Sequence, residues 1–220
     1  STLTQRIPGK LPGLYAIEVD SQGERQFQYW RQEAAVRECF QTPHAPEILA
    51  ALARFDHIHL SGISLAVLYP ESRENLLRRL EELARQNVSI SFDFNFRPRL
   101  WGDTPAISAW PYYQRLARIC QTVFLSLEEA GILGCDTTEY TPELTESLHA
   151  LGAKEVVVKD GGNPCLVLNR ENNDQTMVPL CSVVTPLDST AAGDSFAAGY
   201  LAARRRGMDV VEATARAHML

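Results

Sequence analysis

The chain has 220 residues, of which 45% are hydrophobic and 22% are charged, and its formal net charge is −6. It is long enough to bury a sizeable core, and its acidic balance argues against nucleic acid as a partner. The five cysteines are scattered and odd in number, without a Cys-x-x-Cys pair, so neither a disulfide framework nor a zinc site is predicted. No stretch reaches the roughly 20 apolar residues of a membrane span, and we expect a cytoplasmic protein.

A β-hairpin is predicted near the start of the chain. Two runs of alternating apolar residues, 14–19 and 26–31, flank a short turn. The alternation of side chains along a strand puts Tyr29 and Arg31 on one face of the second strand, and Tyr15 on one face of the first. Two phenols and a guanidinium could therefore converge on a ligand, although an ordinary hairpin that covers a core explains the same pattern.

From residue 46 onward, helices alternate with short apolar strands. The predicted helices cover 46–55, 72–86, 107–119 and 142–151, and the predicted strands cover 57–60, 88–93, 122–125 and 155–159. This alternation predicts an α/β fold with a doubly wound, mostly parallel sheet flanked by helices. Two later runs, 165–169 and 175–183, predict an antiparallel pair. We divide the chain into a small β lid with its connecting segment, 1–35, and an α/β core, 36–220.

The stretch 187–200 predicts a short loop that leads directly into a helix. Free N–H groups at a helix start attract anions, and small side chains let a phosphate approach. The residues whose N–H groups would form this site are Ala191, Ala192, Gly193 and Asp194. The Asp194 carboxylate would repel a phosphate, but it suits a general base that takes a proton from an attacking hydroxyl. The alternative is that Asp188 and Ser189 only cap a closely packed helix.

Polar or small residues follow four of the predicted strands, where ligands of doubly wound sheets lie. In chain order they are Ser61 and Gly62; Asp93, Asn95, Arg97 and Arg99; Ser126, Glu128 and Glu129; and Asp160, Gly161 and Gly162. Together they offer donors for phosphate, carboxylates near Mg²⁺ and room for a nucleotide. Each of these residues alone is weak evidence for a site, because acidic residues commonly start helices and paired glycines commonly form ordinary turns.

Other classes of site lack their signatures. Neither Gly-x-x-x-x-Gly-Lys-[Ser/Thr] nor Gly-x-Gly-x-x-Gly occurs, so neither a P-loop kinase nor a dinucleotide-dependent dehydrogenase is predicted. His57 and His59 share a strand face without a neighbouring carboxylate cluster. We therefore expect structural roles for both, not metal binding.

The run Asp-Ser-Thr-Ala-Ala-Gly-Asp-Ser-Phe at 188–196 resembles the C-terminal signature of the ribokinase-like (PfkB) carbohydrate kinases. Ala191 stands where that family most often has glycine, which is a mild change if its backbone keeps an ordinary helical φ. Within the family, the run 93–101 and the Tyr-Trp-Arg of the hairpin resemble the 2-keto-3-deoxygluconate kinases. The resemblance covers nearly the whole chain and implies the ribokinase-like fold.

This resemblance implies an ATP- and Mg²⁺-dependent transferase that converts 2-dehydro-3-deoxy-D-gluconate to its 6-phosphate. It makes Asp194 the catalytic base, with the N–H groups at 191–194 stabilising the transferred phosphoryl group, and it assigns the metal to Glu129. The implied sugar-acid contacts are Tyr15, Tyr29, Arg31, Arg97 and Asp194. The implied nucleotide contacts are Asn95, Ser126, Lys159, Gly161, Gly162, Ala191 and Gly193. Guanidinium groups suit a substrate that carries a carboxylate.

Two alternatives stay open at this point. One is another ribokinase-like sugar kinase, such as a fructokinase, and the other is a non-catalytic homologue that binds carbohydrate or nucleotide. The family normally begins with a βα segment that lines the sugar pocket, so we expect a chain shortened at its N-terminus and slightly at its C-terminus. The resemblance implies a sugar acid and ATP as partners, with neither nucleic acid nor membrane, and it allows a homo-oligomer formed through the lid.

Overall fold

A computed structural model describes residues 3–19, 25–135, 137, 139–181 and 191–219. The strands in these ranges are β1 Leu14–Val19, β2 Arg25–Trp30, β3 His57–Ser61, β4 Ser89–Asp93, β5 Thr122–Ser126, β6 Glu155–Lys159, β7 Cys165–Asn169 and β8 Asp174–Val178. The α-helices are α1 Ala45–Ala51, α2 Gly62–Val67, α3 Pro70–Arg85, α4 Pro105–Ala117, α5 Pro142–Ala150, α6 Ala192–Arg205 and α7 Val210–Ala217. Short 3₁₀ segments cover Ala35–Glu38, Leu52–Arg54, Pro98–Leu100 and Leu127–Leu133.

Strands β3 to β8 form one sheet in sequence order. The pairs from β3 to β6 are parallel, and β7 and β8 continue the sheet antiparallel. The predicted α/β class with a mostly parallel sheet is therefore confirmed. The second strand of the late pair begins at Asp174 and ends at Val178, and the stretch 182–190, which includes the predicted end of that strand, lies outside the described residues.

Helices cover both faces of this sheet because its central strands are apolar on both sides. On β5, Val123 and Leu125 join a core with helices α2 to α5, whereas Phe124 joins a second core with α6 and α7. All three side chains are fully buried. A continuous apolar run of this kind is typical of a parallel strand that is buried on both faces.

Helix α6 is anchored to the sheet by a buried carboxylate. The Tyr200 hydroxyl donates to Glu155 at 2.8 Å, and the Arg204 guanidinium donates to the same carboxylate at 2.9 Å. Burial, together with this carboxylate, raises the pKa of Tyr200, so the phenol stays protonated as a donor. These contacts hold the C-terminal half of α6 on the start of β6, and they fix where its N-terminus lies.

The hairpin β1–β2 is a separate antiparallel sheet with Tyr15 opposite Tyr29. Leu14 and Trp30 are 63% and 55% exposed. The turn predicted between the strands lies outside the described residues. The division at residue 35 and the oligomer formed through the lid stay predictions. No helix in the described part of the chain is long and apolar enough to cross a membrane.

Candidate active site

A cavity of about 260 Å³ lies where the carboxyl ends of β4, β5 and β6 meet the first turn of α6. Its lining consists of Asp93, Asn95, Arg97, Ser126, Glu129, Lys159, Ala191, Ala192, Gly193 and Asp194. Since neighbouring parallel strands end at the same edge of a sheet, residues far apart in sequence meet here. Most of the residues predicted from the strand ends and from the signature stretch are thus brought together.

The start of α6 has the features of an anion site. The Ser195 N–H donates to the Ala191 carbonyl at 2.8 Å, so the first helical hydrogen bond described in α6 starts from Ala191, and the first four N–H groups of a helix generally have no partner within it. Asp194 is exposed in this turn. Residues 188–190 of the signature lie outside the described residues.

Ala191 departs from the expected backbone conformation. It precedes α6 with φ 62° and ψ 13°, which is the left-handed region. The condition for a mild change, an ordinary helical φ, is therefore not met at this position. A β-carbon makes the left-handed region unfavourable by roughly 1–2 kcal/mol.

Replacement of Ala191 by glycine is expected to stabilise the fold by about 0.5–1 kcal/mol. The free energy gained by removing the backbone strain exceeds the free energy lost because glycine has more conformational entropy in the unfolded chain. Urea unfolding measures the difference. Ala198→Gly, at an exposed position inside α6, is the matched control and should destabilise by about 0.5–1 kcal/mol. A destabilising Ala191→Gly would contradict the assigned strain.

An ion pair lies at the floor of the cavity. Lys159 Nζ is 2.7 Å from Asp93 Oδ2, and the two side chains are 18% and 4% exposed. The ammonium also lies 3.4 Å from the place that a β-carbon on Gly193 would take, so it is next to the start of α6. The other carboxylate oxygen, Asp93 Oδ1, is buried without a hydrogen-bond partner among the described residues. Sequence reasoning placed both residues at strand ends but did not pair them.

Glu129 bonds to the backbone with both carboxylate oxygens. Oε1 accepts from the Phe96 N–H at 2.5 Å, and Oε2 accepts from the Ser126 N–H at 2.8 Å. Burial raises the pKa of Glu129, although the two N–H donors oppose that rise. In the described part of the chain, no group of three or more His, Cys, Asp or Glu side chains is arranged to hold a metal ion. Metal binding by Glu129 stays a prediction.

Five predicted site residues lie outside the lining of this cavity. On the hairpin, the rings of Tyr15 and Tyr29 are 6.3 Å apart, and the Arg31 guanidinium lies 4.2 Å from the Tyr29 ring. Tyr29 and Arg31 line a separate groove beside the hairpin. Gly161 and Gly162 form an exposed turn after β6. The three hairpin side chains lie close together. Their position relative to the cavity could not be predicted, because the sequence does not specify how a hairpin is oriented against the main sheet.

The two strand histidines hydrogen-bond within the sheet. His57 contacts Ser89 Oγ at 3.0 Å and Ser91 Oγ at 2.8 Å, and His59 contacts Ser91 Oγ at 2.8 Å. Burial lowers the pKa of both rings. These contacts agree with the structural roles expected from the sequence.

Comparison with known proteins places the chain in a family. The profile of the pfkB family of carbohydrate kinases matches residues 1–220. The 2-dehydro-3-deoxygluconokinase of Escherichia coli K12 is 42% identical over 224 residues, which is 100% of this chain and 70% of the relative. The enzyme of the same name from Dickeya dadantii is 38% identical over 221 residues, which is 99% of this chain and 69% of the relative.

Solved structures agree with this comparison. A PfkB protein from Polaromonas sp. JS666 has a TM-score of 0.75 at 26% identity, covering 94% of this chain and 64% of that chain. A fructokinase from Vibrio cholerae O395, solved with fructose, ADP and calcium, has a TM-score of 0.62 at 25% identity, covering 74% of this chain and 52% of that chain. This chain thus spans less than two thirds of the length of these two solved proteins. The full-length profile match and the identity to two named kinases over nearly the whole chain show that this chain belongs to the pfkB family of carbohydrate kinases.

Proposed function

We propose that this protein transfers the γ-phosphoryl group of ATP to 2-dehydro-3-deoxy-D-gluconate and forms the 6-phosphate. The observation that carries the proposal is that Asp194, Lys159 and Arg97 line one cavity. A base, a cation beside an anion site and a guanidinium for a carboxylate are the groups that this reaction needs. The names of the relatives that are 42% and 38% identical support the choice of substrate.

In the transfer, Asp194 takes the proton of the sugar hydroxyl as its oxygen attacks the γ-phosphorus. The new O–P bond forms while the bond from the γ-phosphorus to the oxygen of the leaving ADP breaks. Backbone N–H groups at 191–194 and the Lys159 ammonium stabilise the negative charge of the transferred group. Lys159 is held for this role, since Asp93 fixes its ammonium beside Gly193.

The cavity has carboxylates that fit a magnesium ion. Mg²⁺ usually binds one or two carboxylates together with phosphates and waters. Asp93 has a buried oxygen without a partner among the described residues, and Glu129 lines the same cavity. These two residues would hold the ion together with the ATP phosphates. The ion would neutralise charge on the phosphates.

The remaining contacts are proposed partly from the cavity lining and, for the hairpin residues, Gly161 and Gly162, from the resemblance to this family of kinases alone. Arg97 would bind the substrate carboxylate, and the hairpin residues Tyr15, Tyr29 and Arg31 would close over the sugar acid. The nucleotide would lie along the residues at the ends of β4, β5 and β6 and at the start of α6, which are Asn95, Ser126, Lys159, Gly161, Gly162, Ala191 and Gly193.

Arg97→Leu tests whether the substrate is a sugar acid. It is expected to lower kcat/KM for 2-dehydro-3-deoxy-D-gluconate about 10- to 100-fold, because a charge-assisted contact is lost. Any turnover of fructose, a neutral sugar, should be spared. Coupled ATP-consumption kinetics measure both substrates. Arg99→Leu is the matched control, since Arg99 is exposed and lies outside the cavity lining.

Equal loss on both sugars would remove Arg97 from the carboxylate role. Faster turnover of fructose by the unchanged protein would favour a fructokinase-like activity instead. One of the solved structures that resemble this chain is a fructokinase, so fructose is the appropriate competing substrate.

A further inference from the structure

One carboxylate joins two loops at the rim of the cavity. Glu129 accepts hydrogen bonds from the Phe96 N–H, in the loop after β4, and from the Ser126 N–H, at the end of β5. The Ser126 bond is one half of a capping box, in which Glu129 is the third residue of the 3₁₀ segment Leu127–Leu133 and the Ser126 side chain accepts in turn from the Glu129 N–H. The loop after β4 is thus fastened to a rigid point on the next strand.

The loop after β4 leaves the regular sheet abruptly. Asn95 has a φ of 37°, which turns the chain away from the strand direction. Three side chains from three other elements hold this turn. The ties are Tyr113 Oη to Phe94 O at 2.8 Å, Asn95 Nδ2 to Ser61 Oγ at 3.0 Å, and Phe96 N to Glu129 Oε1 at 2.5 Å. Of these, the Glu129 tie is nearest in sequence to Arg97.

Among the described residues, the Arg97 side chain has only a local hydrogen bond to hold it in place. Its side chain is exposed, and its guanidinium donates to the Phe96 carbonyl at 3.2 Å. Phe96 therefore contacts both residues. Its N–H donates to Glu129, and its carbonyl accepts from the guanidinium of Arg97, the next residue in the chain. A misplacement of about 1 Å in a binding group is enough to cost much of its effect.

We propose that Glu129 is a positioning residue for the sugar-acid site, acting on Arg97 through the Phe96 N–H. This inference rests on the proposed function, since it takes Arg97 as the group that binds the substrate carboxylate. The role is distinct from metal binding because both hydrogen bonds are made to groups of the protein. It operates before nucleotide or metal is bound.

The test is sugar-acid binding in the absence of metal and nucleotide. Calorimetric titration of 2-dehydro-3-deoxy-D-gluconate in EDTA is made on the unchanged protein, Glu129→Ala, Glu129→Gln and Glu128→Gln. Glu129→Ala should raise the Kd about tenfold. Glu129→Gln should raise it less, because glutamine keeps one acceptor oxygen and loses the other. Glu128→Gln, at an exposed neighbouring position, should stay within about twofold.

Two results would overturn the proposal. An unchanged metal-free Kd with a raised Mg²⁺ requirement for turnover would mean that Glu129 acts on the metal alone. An unchanged Kd with only a lower melting temperature would mean a purely structural role.

Hydrogen exchange of the Phe96 amide gives a readout that needs no ligand. Exchange of this amide should be faster in both Glu129 variants than in Glu128→Gln. Equal protection of the Phe96 amide in all three variants would contradict its hydrogen bond to Glu129. If the unchanged protein neither binds nor phosphorylates the sugar acid, the proposed function fails. The exchange of this amide still decides whether Glu129 fastens the loop.

Discussion

Asp194→Asn is expected to lower kcat about 10³-fold, because an asparagine side chain cannot take the proton of the attacking hydroxyl. The N–H groups of the α6 start and Lys159 remain in this variant. ATP and the sugar acid should therefore still bind, with KM values within a few-fold of those of the unchanged protein. Coupled ATP-consumption kinetics at saturating substrates measure the loss.

A matched control separates the base from general loss of charge. Asp103→Asn removes an exposed carboxylate that does not line the cavity and should leave kcat unchanged. If Asp194→Asn kept more than about a tenth of the activity, another group would have to be the base. If it instead raised the KM for ATP with an unchanged kcat, Asp194 would belong to nucleotide binding.

Gly62→Ala is expected to destabilise the protein by roughly 3–5 kcal/mol. A β-carbon at Gly62 would lie 1.9 Å from the Phe94 carbonyl oxygen and 2.1 Å from the Tyr113 hydroxyl. These two groups are hydrogen-bonded to each other at 2.8 Å and buried, so neither can move without breaking the bond. Thermal unfolding should show a melting temperature lower by roughly 10 °C.

Gly131→Ala is the control for this prediction. It lies in the 3₁₀ segment after β5, where a β-carbon would meet no described atom within 4 Å. It should change stability by less than about 0.5 kcal/mol or be slightly stabilising. The double variant Gly62→Ala with Tyr113→Phe should recover little, because the Phe94 oxygen remains in the way. A melting temperature of Gly62→Ala equal to that of Gly131→Ala would contradict the close approach.

The fold could be predicted where a buried strand or helix shows a clear pattern of apolar residues in the sequence. The run at 122–125 is apolar without alternation, and it became β5, buried on both faces. Helix α2 was not predicted, since its six residues are too few to show a helical period. The left-handed conformation of Ala191 was also missed, because alanine rarely adopts it and the residue pattern gives no signal for it.

The site residues that follow the carboxyl ends of the parallel strands could be predicted, because ligands of doubly wound sheets lie there. That rule brought Asn95, Arg97 and Ser126 to one edge, the signature stretch added Asp194, and the family resemblance added Lys159. Pairings across the sheet were not visible, because the contact of Lys159 with Asp93 depends on side-chain directions two strands apart. The backbone bonds of Glu129 were likewise hidden, since an acidic residue after a strand is equally typical of a helix start.

The most direct test of the account is phosphoryl transfer by the unchanged protein. The protein is mixed with ATP, Mg²⁺ and 2-dehydro-3-deoxy-D-gluconate, with fructose in a parallel reaction, and the product is identified by phosphorus and carbon NMR. We predict phosphate on the 6-hydroxyl of the sugar acid, formed with a higher kcat/KM than any product from fructose. ATP binding without transfer to the sugar acid, or a preference for fructose, would contradict the account.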